Sequence, residues 1–386
     1  MRTTPLILII EDNPASLEIM NARLSAHRYD IITATDGAQG LELARRNLPD
    51  LILSDIMMPK LDGLEVCRRL RNDPVIPFIP IILVTAKTDT KDIVAGLEAG
   101  GDEYLTKPVD HASLVARVKS MLRIKDLHDV VLEQSNQLKI QLETATKVQE
   151  LFFPKTRKLT EGVNVWTHYE PASYVGGDLF DVIRLTDGSV LVYLADISGK
   201  GVAAALIMAA LSTMIRAEAP FYNDIVKLLT AVNRSMVNLS SVEGYFATMI
   251  CGRYWPKNGR LQLLRAGHPF PLWITAGTVN ELPWLEGSPL GIQEEVHYET
   301  AEIFLADGDS CLFYSDGVTE AENQEREMFG TDRLHGYQAG KSGPPWGPCL
   351  VETLAQWRKG AEANDDTTIV EIVHEPTSVA EDSAER

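Results

Sequence analysis

Cysteine is scarce in this sequence and basic residues are outnumbered, and each shortage argues against a class of protein. The 386 residues include 36 Lys and Arg against 54 Asp and Glu, and the formal net charge of −18 argues against a surface for nucleic acid. No helix-turn-helix pattern is present. The 4 cysteines are far apart and form no C-x-x-C pair, which favours reduced thiols in a cytosolic protein. They are Cys67, Cys251, Cys311 and Cys349.

Long apolar runs are also missing. Residues 1–5 lead directly into a strand pattern, so no signal peptide is expected. The longest apolar stretch, at 202–215, is too short to span a bilayer and predicts a buried helix, so no membrane partner is expected. With 45% hydrophobic and 23% charged residues, the composition is that of a soluble globular protein, and the length indicates two domains or slightly more.

Strand patterns alternate with helix patterns in the first part of the chain. Apolar runs at 6–10, 51–54 and 79–84 and weaker strand patterns at 30–34 and 103–105 are accompanied by helical patterns such as 38–46. This alternation predicts βα units around a parallel sheet that is covered on both faces. In such sheets the ligand site lies outside the carboxyl ends of the strands.

Polar residues follow these strand ends. Glu11, Asp12 and Asp55 would repel one another there unless a cation lay between them, and ligands that are all oxygen favour Mg²⁺. Lys107 adds a point charge for an anion, and Thr85 adds a hydroxyl group. Together these groups can hold a phosphoryl group on an aspartate.

The same residues resemble the response-regulator receiver domain over about residues 5–123. The resemblance implies a flavodoxin-like (βα)5 domain in which Asp55 accepts phosphate from a histidine kinase. It also implies that Mg²⁺ is bound by Glu11, Asp12, Asp55 and the Met57 carbonyl, and that Thr85, Tyr104 and Lys107 serve the switch and the phosphate. A domain that keeps the fold without the chemistry is the alternative. The matching motifs are Glu11–Asp12, Asp55 in L-S-D-I-M-M-P-K-L-D-G, Thr85–Ala86, Tyr104 and Lys107–Pro108.

A connector is predicted at 124–154, where glycine and proline are absent before Pro154. Apolar residues recur there at heptad spacing, which predicts a helix that forms a parallel, dimeric coiled coil. A single amphipathic helix that lies on its own domain is the alternative. The a positions are Ile124, Val131, Leu138, Ala145 and Phe152, and the d positions are Leu127, Gln134, Gln141 and Val148, of which the two glutamines weaken the seam.

Strand and hairpin patterns dominate the rest of the chain. Turn sequences at 186–188 and 257–259 indicate hairpins, so the region predicts packed antiparallel sheets flanked by helices. The polar tail, 376–386, is predicted to be disordered. Strand patterns lie at 163–168, 180–184, 190–195, 247–254, 260–266, 310–314 and 368–373, and helix patterns at 202–217, 224–239 and 348–358.

Carboxylates again adjoin strand ends or glycines in this region. Asp196 ends an apolar strand pattern before the turn at 198–201, where it would either hold a metal or cap the next helix. Without a cysteine ligand, such acids suit two hard divalent cations, which can activate water for in-line displacement at phosphorus. The other acids are Asp178 with Asp181, Asp316, and Asp365 with Asp366.

These segments resemble the metal-dependent Ser/Thr protein phosphatases of the sporulation-E and stress-regulator branch of the PP2C superfamily. The resemblance implies a β-sandwich flanked by helices at 155–375, and two Mn²⁺ or Mg²⁺ ions bridged by Asp196. The Ile197 carbonyl, Asp178, Asp316 and Asp365 would complete the site, with Asp181 and Asp366 as ligands through water or as structural partners. The matching segments are V-G-G-D-L-F-D at 175–181, A-D-I-S-G-K-G at 195–201, F-A-T-M at 246–249, R-A-G-H-P at 265–269, P-L-G-I at 289–292, Y-S-D-G-V-T-E-A at 314–321 and N-D-D-T-T at 364–368.

The combined interpretation is a cytoplasmic two-component response regulator in which a receiver at 1–123 controls a phosphatase through a homodimeric connector. The resemblance implies a phosphorylated anti-sigma-factor antagonist as substrate. A catalytically silent adaptor that binds a partner protein under receiver control is the alternative. Whether phosphorylation of Asp55 activates or inhibits the phosphatase stays open. A connector that shifts the helix after the 199–201 turn would move Asp196, which is one route of coupling.

Overall fold

A computed structural model describes residues 3–86, 90–154, 163–240, 244–280, 282–283, 285–336 and 345–375, with residues 90–92 and 240 described by their backbone alone. The predicted tail at 376–386 lies outside the described residues. The chain divides into two compact units, Met1–Leu138 and Lys139–Arg386.

The first unit is a five-stranded parallel sheet with helices on both faces. Its strands are β1 (Leu6–Ile10), β2 (Asp30–Ala34), β3 (Leu51–Asp55), β4 (Ile81–Thr85) and β5 (Glu103–Thr106), and they lie in the order β2-β1-β3-β4-β5. Its helices are α1 (Pro14–Ser25), α2 (Gly37–Asn47), α3 (Gly63–Arg71), α4 (Thr90–Glu98) and α5 (His111–Gln149), of which α5 continues into the second unit.

The sheet forms because its central strands are apolar on both faces. In β1, Leu8 and Ile10 pack into one buried cluster, whereas Ile7 and Ile9 pack into another on the opposite face. The predicted α/β fold of this part is confirmed. The predicted strand at 79–84 begins too early, because Pro80 has no N–H for a ladder and β4 starts after it.

The second unit contains two five-stranded sheets whose neighbouring strands are antiparallel. The first sheet has the order β13-β10-β9-β8-β7, and the second has the order β12-β11-β14-β15-β6. The strands are β6 (Val163–Glu170), β7 (Leu179–Arg184), β8 (Val190–Ile197), β9 (Ala247–Trp255), β10 (Arg260–Ala266), β11 (Leu272–Thr275), β12 (Thr278–Asn280), β13 (Thr300–Phe304), β14 (Ser310–Tyr314) and β15 (Thr367–His374). The helices are α6 (Gly201–Glu218), α7 (Ile225–Ser240), α8 (Asp316–Thr319), α9 (Gly330–His335) and α10 (Gly347–Arg358), with 3₁₀ turns at Glu150–Phe152 and Ala219–Phe221.

The two sheets stack with their inner faces together and helices outside. Along β8, Val192 and Leu194 face the core between the sheets, whereas Leu191 and Tyr193 face α6 and α7. A third cluster packs α10 against the outer face of the second sheet. The predicted antiparallel sandwich flanked by helices is confirmed. The sequence patterns missed β11, β12 and β13, because the first two are very short and half of β13 is exposed.

Helix α6 extends beyond the apolar stretch at 202–215. Together with the 3₁₀ turn it spans Gly201–Phe221, with a mean hydropathy of 1.5, and is long and apolar enough to cross a membrane. The prediction that this stretch is too short for a membrane span was therefore wrong as to length. One face of the helix, including Ala204, Met208 and Leu211, is fully buried in the core against β8 and α7. This face of α6 therefore belongs to the core of the unit, whereas Leu206 on the helix is 66% exposed.

Candidate functional site

One cluster of acids lies at the carboxyl ends of β1 and β3. Asp55 is the last residue of β3, and Glu11 and Asp12 directly follow β1. One oxygen from each of these acids lies within 4.8 Å of the others. Glu11 and Asp55 are buried and Asp12 is exposed. The structure thus brings the predicted acids together in a set of oxygens that suits one hard cation.

Lys107 joins two of these acids. Its Nζ lies 2.7 Å from Glu11 Oε2 and 2.7 Å from Asp55 Oδ2. Burial raises the pKa of Glu11 and the neighbouring Asp55 carboxylate raises it further, while the hydrogen bonds from Lys107 oppose this shift. Met57 donates its backbone N–H to Asp55 Oδ1 over 3.2 Å, so its backbone lies beside the predicted phosphate acceptor.

The two predicted switch residues lie on neighbouring strands. Thr85 is buried at the end of β4, where its carbonyl accepts the backbone N–H of Lys107 over 2.7 Å. Tyr104 lies on β5, and the Arg117 guanidinium carbon is 5.5 Å from the centre of its ring. Thr85 therefore adjoins the acidic cluster, while a coupled movement of Thr85 and Tyr104 stays a prediction.

A second set of acids lies where strands of the two sheets of the second unit end. Asp196 is the penultimate residue of β8, and Leu179 pairs with Ala195, which places Asp178 beside Asp196. Asp316 begins α8, with Ser315 between it and the end of β14, and Asp365 is separated from the start of β15 by Asp366. Because β14 and β15 are paired, Asp316 and Asp365 come from adjacent strands of the other sheet.

A short hydrogen-bonded chain connects the two sheets at this point. The Thr368 hydroxyl, on β15, donates to Asp178 Oδ2. The Thr368 N–H donates to Ser315 Oγ over 2.9 Å, and that hydroxyl donates to the Asp366 carbonyl over 3.0 Å. Asp178 is thus fixed to the strand that follows Asp365 and Asp366.

Gly177 brings the loop before β7 close to the end of β8. A Cβ atom at Gly177 would lie 2.9 Å from the Ile197 carbonyl oxygen and 3.6 Å from Asp196 Oδ1. A side chain at this position would therefore press on the Ile197 carbonyl and lie in ordinary contact with Asp196. Because Gly177 has no side chain, the space beside the Ile197 carbonyl oxygen stays free of a methyl group.

The electrostatics show that the acids interact with one another. Burial raises the pKa of Asp178 well above its ordinary value, and the Asp196 carboxylate raises it further. Burial, with the charges of Asp316 and Asp365, raises the pKa of Asp196 to about 7. Burial followed by the charges of Glu320 and Asp365 also raises the pKa of Asp316. Such mutual repulsion is relieved by a cation, and an all-oxygen donor set fits Mn²⁺ or Mg²⁺.

Lys200, to which the sequence patterns assign no role, lies beside the second set of acids. Its Nζ lies 2.9 Å from Asp365 Oδ2 and 2.8 Å from the Asn364 carbonyl oxygen. The bond to Asp365 raises the pKa of the ammonium group. Its position in the S-G-K-G turn after Asp196 indicates that it lies near the site. The sequence does not indicate that Asp365 is its partner, because Asp365 lies far along the chain.

Asp366 supports the loop that bears Asp178. Its carboxylate accepts the backbone N–H of Gly177 over 2.7 Å, that of Ala172 over 2.9 Å and that of Asp178 over 3.4 Å. It is 8% exposed. These bonds use both carboxylate oxygens, as expected of a structural partner of the site.

Asp181 is held away from these acids by Arg216, which lies near the far end of α6. The Arg216 Nε is 2.7 Å from Asp181 Oδ2, and the Val182 N–H donates to Asp181 Oδ1 over 2.8 Å. His268 is also buried, and its Nδ1 lies 2.8 Å from Thr248 Oγ1. Neither Asp181 nor His268 contacts a predicted metal ligand through these bonds.

Comparison with protein families divides the chain in the same way. The model of the response regulator receiver domain matches residues 7–119, and the model of stage II sporulation protein E (SpoIIE) matches residues 186–374. The second match begins after Asp178, so it includes Asp196, Asp316 and Asp365 but not the loop before β7.

Individual relatives agree with this division. The response regulator PleD of Caulobacter vibrioides (strain NA1000 / CB15N) is 45% identical over 119 residues, which are 31% of this chain and 26% of PleD. The chain therefore spans about a quarter of the length of that relative. The SiaA-PP2C domain of Pseudomonas aeruginosa is 21% identical with a TM-score of 0.55, and the match covers 63% of this chain and 99% of that domain. This similarity shows a shared fold.

A further solved structure, the RsbU and RsbW domains of Rv1364c from Mycobacterium tuberculosis, is 27% identical with a TM-score of 0.48, and the match covers 56% of this chain and 61% of that one. The family matches and the fold agree with the motifs of both halves of the sequence. The chain therefore joins a response-regulator receiver domain to a domain of the SpoIIE type with the PP2C fold.

Proposed function

We propose that this protein is a two-component response regulator whose phosphorylation at Asp55 controls a metal-dependent protein serine/threonine phosphatase. The observation that supports the enzyme half is the group of acids at the strand ends: burial and neighbouring carboxylates raise the pKa of Asp178, Asp196 and Asp316, and the Asp365 carboxylate is one of those neighbours. A domain that only bound a partner protein would not need several carboxylates that repel one another in one place.

Asp196 would bridge two Mn²⁺ or Mg²⁺ ions, with Asp178, Asp316, Asp365 and the Ile197 carbonyl as the remaining protein ligands. When bound, such ions supply an activated water and a clamp on the phosphoryl group. Thr368 holds Asp178 in place through its hydroxyl hydrogen bond. Lys200 neutralises Asp365 and presents a cation beside the site where an anionic substrate would arrive.

In the receiver, Glu11, Asp12, Asp55 and the Met57 carbonyl would bind Mg²⁺, and a histidine kinase would donate the phosphoryl group to Asp55. Lys107 already contacts Asp55 over 2.7 Å and would contact the added phosphate. Thr85 and Tyr104 would then report the phosphorylation. These roles follow from the receiver family and from the cluster at the ends of β1 and β3.

The connector, residues 124–154, would pair two copies of the chain between the receiver at 1–123 and the phosphatase at 155–375. Several of its heptad residues are exposed in the single chain: Val131 by 64%, Leu138 by 56% and Leu127 by 57%. Burying such a seam against a second copy would remove apolar surface from water. The dimer would be cytoplasmic, with no nucleic acid and no membrane as partner.

The proposed substrate is a phosphoserine on an anti-sigma-factor antagonist, following the SpoIIE family. The test is phosphate release from such phosphoproteins in Mn²⁺, with and without an acyl-phosphate mimic on Asp55. Asp196→Asn should lower the rate by at least about 100-fold, whereas the exposed control Asp332→Asn should retain it.

The mimic should change the rate of the wild-type protein in one direction, and Asp55→Asn should abolish that response. If the wild-type protein binds the phosphoprotein without releasing phosphate, the domain is an adaptor and the enzyme proposal is wrong.

A further inference from the structure

Gln149, the last residue of α5, lies in the second unit and makes a paired contact with the loop before β7. The Gln149 side chain is only 5% exposed, although glutamine is usually a surface residue. Its Nε2 donates to the Gly176 carbonyl oxygen over 2.7 Å, and the Gly176 N–H donates to its Oε1 over 3.2 Å. One side-chain amide thus satisfies both backbone groups of a single residue, as a neighbouring strand would.

A second side chain of the helix reinforces this contact. The Thr146 hydroxyl lies within hydrogen-bonding distance of the Tyr174 carbonyl oxygen and also of the Leu142 carbonyl oxygen, at 3.0 Å. Thr146 and Gln149 are three residues apart and therefore share a face of the helix. Just beyond the helix, Phe153 stacks on Phe180 of β7 with ring centres 4.8 Å apart. The end of the connector is therefore fixed along the segment that leads to Asp178.

Gly176 and Gly177, the two residues before Asp178, are packed tightly against their neighbours. A Cβ atom at Gly176 would lie 2.1 Å from Asp366 Oδ2 and 2.5 Å from the Tyr169 hydroxyl, so this backbone is held tightly against its neighbours. Gly177 donates to the same Asp366 oxygen over 2.7 Å. Because adjacent Cα atoms are about 3.8 Å apart, a shift at Gly176 reaches Asp178 over two peptide units. The contact of Gln149 with Gly176 therefore adds to the bonds from Asp366 and Thr368 that hold the loop bearing Asp178.

We propose that Gln149 is the positioning residue that holds Asp178 in place for metal binding, and that the connector sets the metal affinity of the phosphatase site through it. The inference rests on the proposed function of that site. Gln149 contacts neither metal nor substrate and acts only through Gly176. A glutamate at 149 would keep an acceptor for the Gly176 N–H but would leave the Gly176 carbonyl without its donor.

The test compares Mn²⁺ binding to the full-length wild-type protein, Gln149→Ala and Gln149→Glu, by calorimetry in the absence of substrate. Both variants should bind Mn²⁺ about 10- to 100-fold more weakly, the usual cost of removing a group that supports a metal ligand. The matched control is Gln137→Ala, an exposed glutamine on the same helix and outside the a and d positions. It should bind Mn²⁺ as the wild type does.

A positioning role also predicts a split in the kinetics. The Mn²⁺ concentration for half-maximal phosphate release should rise in both Gln149 variants, while the rate at saturating Mn²⁺ should recover. A purely structural role would instead lower the folded fraction, which circular dichroism would detect, and leave the Mn²⁺ affinity of the folded protein unchanged. Because Gln149→Glu keeps the size of the side chain but buries a carboxylate, the folded fraction of both variants is measured before their Mn²⁺ affinities are compared.

The connector half of the inference has its own readout. An acyl-phosphate mimic on Asp55 should change the Mn²⁺ affinity of the wild-type protein and should not change that of Gln149→Ala. Equal affinities in all variants, or an undiminished response in Gln149→Ala, would overturn the inference. If the wild type binds Mn²⁺ yet hydrolyses no phosphoprotein, the proposed enzyme fails while the calorimetric comparison still decides the role of Gln149.

Discussion

Replacing Gly177 with alanine would test the metal site by filling the space between its predicted ligands. The new Cβ atom would lie 2.9 Å from the Ile197 carbonyl oxygen, a distance that real Cβ atoms essentially never show. Ordinary contact begins at 3.4 Å, so the carbonyl or the loop must move by about 0.5 Å. The backbone of Gly177 is not in the left-handed region, so alanine brings no dihedral strain of its own.

The expected loss follows from how narrowly hard cations tolerate displaced ligands. Mg²⁺ binds oxygen at about 2.0–2.1 Å in near-ideal geometry, so a carbonyl that moves by about 0.5 Å no longer serves as a ligand. We expect Mn²⁺ or Mg²⁺ affinity to fall about 10- to 100-fold, which is about 1.4 to 2.8 kcal/mol. The free energy of unfolding without metal should change by about 1 kcal/mol or less, since alanine also restricts the unfolded chain.

The measurement is calorimetric titration with Mn²⁺, alongside phosphate release over a range of Mn²⁺ concentrations. Gly336→Ala is the matched control, because Gly336 has an ordinary helical φ of −78° and lies after α9, outside the acidic group. Wild-type Mn²⁺ affinity in Gly177→Ala would refute the placement of Ile197 and Asp196 around a bound metal.

Three further predictions concern other parts of the molecule. Asp55→Asn should abolish the shift in a phosphate-affinity gel after incubation with a small acyl phosphate and Mg²⁺; a remaining shift would identify another acceptor. Burial lowers the pKa of His268 to about 3. As the pH falls below about 6.5, His268 therefore binds a proton in the unfolded state but not in the folded state. Stability present above about pH 6.5 is then lost toward pH 3 by up to about 1.4 kcal/mol per pH unit, and urea unfolding of His268→Gln should show a flatter slope. Buried Glu371 accepts the N–H groups of Trp346 and Gly347 over 3.0 and 2.8 Å, so Glu371→Ala should cost about 3 kcal/mol in thermal unfolding, and a loss under about 1 kcal/mol would contradict this.

The predictable parts of the structure depended on local patterns. The apolar runs of β3 and β8 are each followed by an acid near the end of the strand, and this local pattern predicts Asp55 and Asp196 as site residues. The heptad pattern likewise indicated the long helix α5. In each case the pattern lies in one continuous stretch of the sequence.

The parts that the sequence did not reveal depend on contacts between distant residues. Lys200 meets Asp365, and Gln149 meets Gly176, and no local periodicity relates either pair. Asp181 stands three residues after Asp178 in the same motif, yet its partner is Arg216 on α6. Its type and spacing were equally compatible with a ligand and with an ion pair, and only the packing of α6 decides between them.

The alternation of side chains along β8 limits the places at which residues can be inserted or deleted. Its successive side chains enter two different cores, and the strand ends one residue after Asp196. Deleting one residue within 190–195 would turn Asp196 toward the helices and send apolar side chains to the wrong cores. The turn at 186–188 is exposed, but Asp187 within it pairs with the buried Arg253 over 2.7 Å. Changes of length should therefore be tolerated in that turn only where this ion pair is kept, and should abolish activity a few residues later.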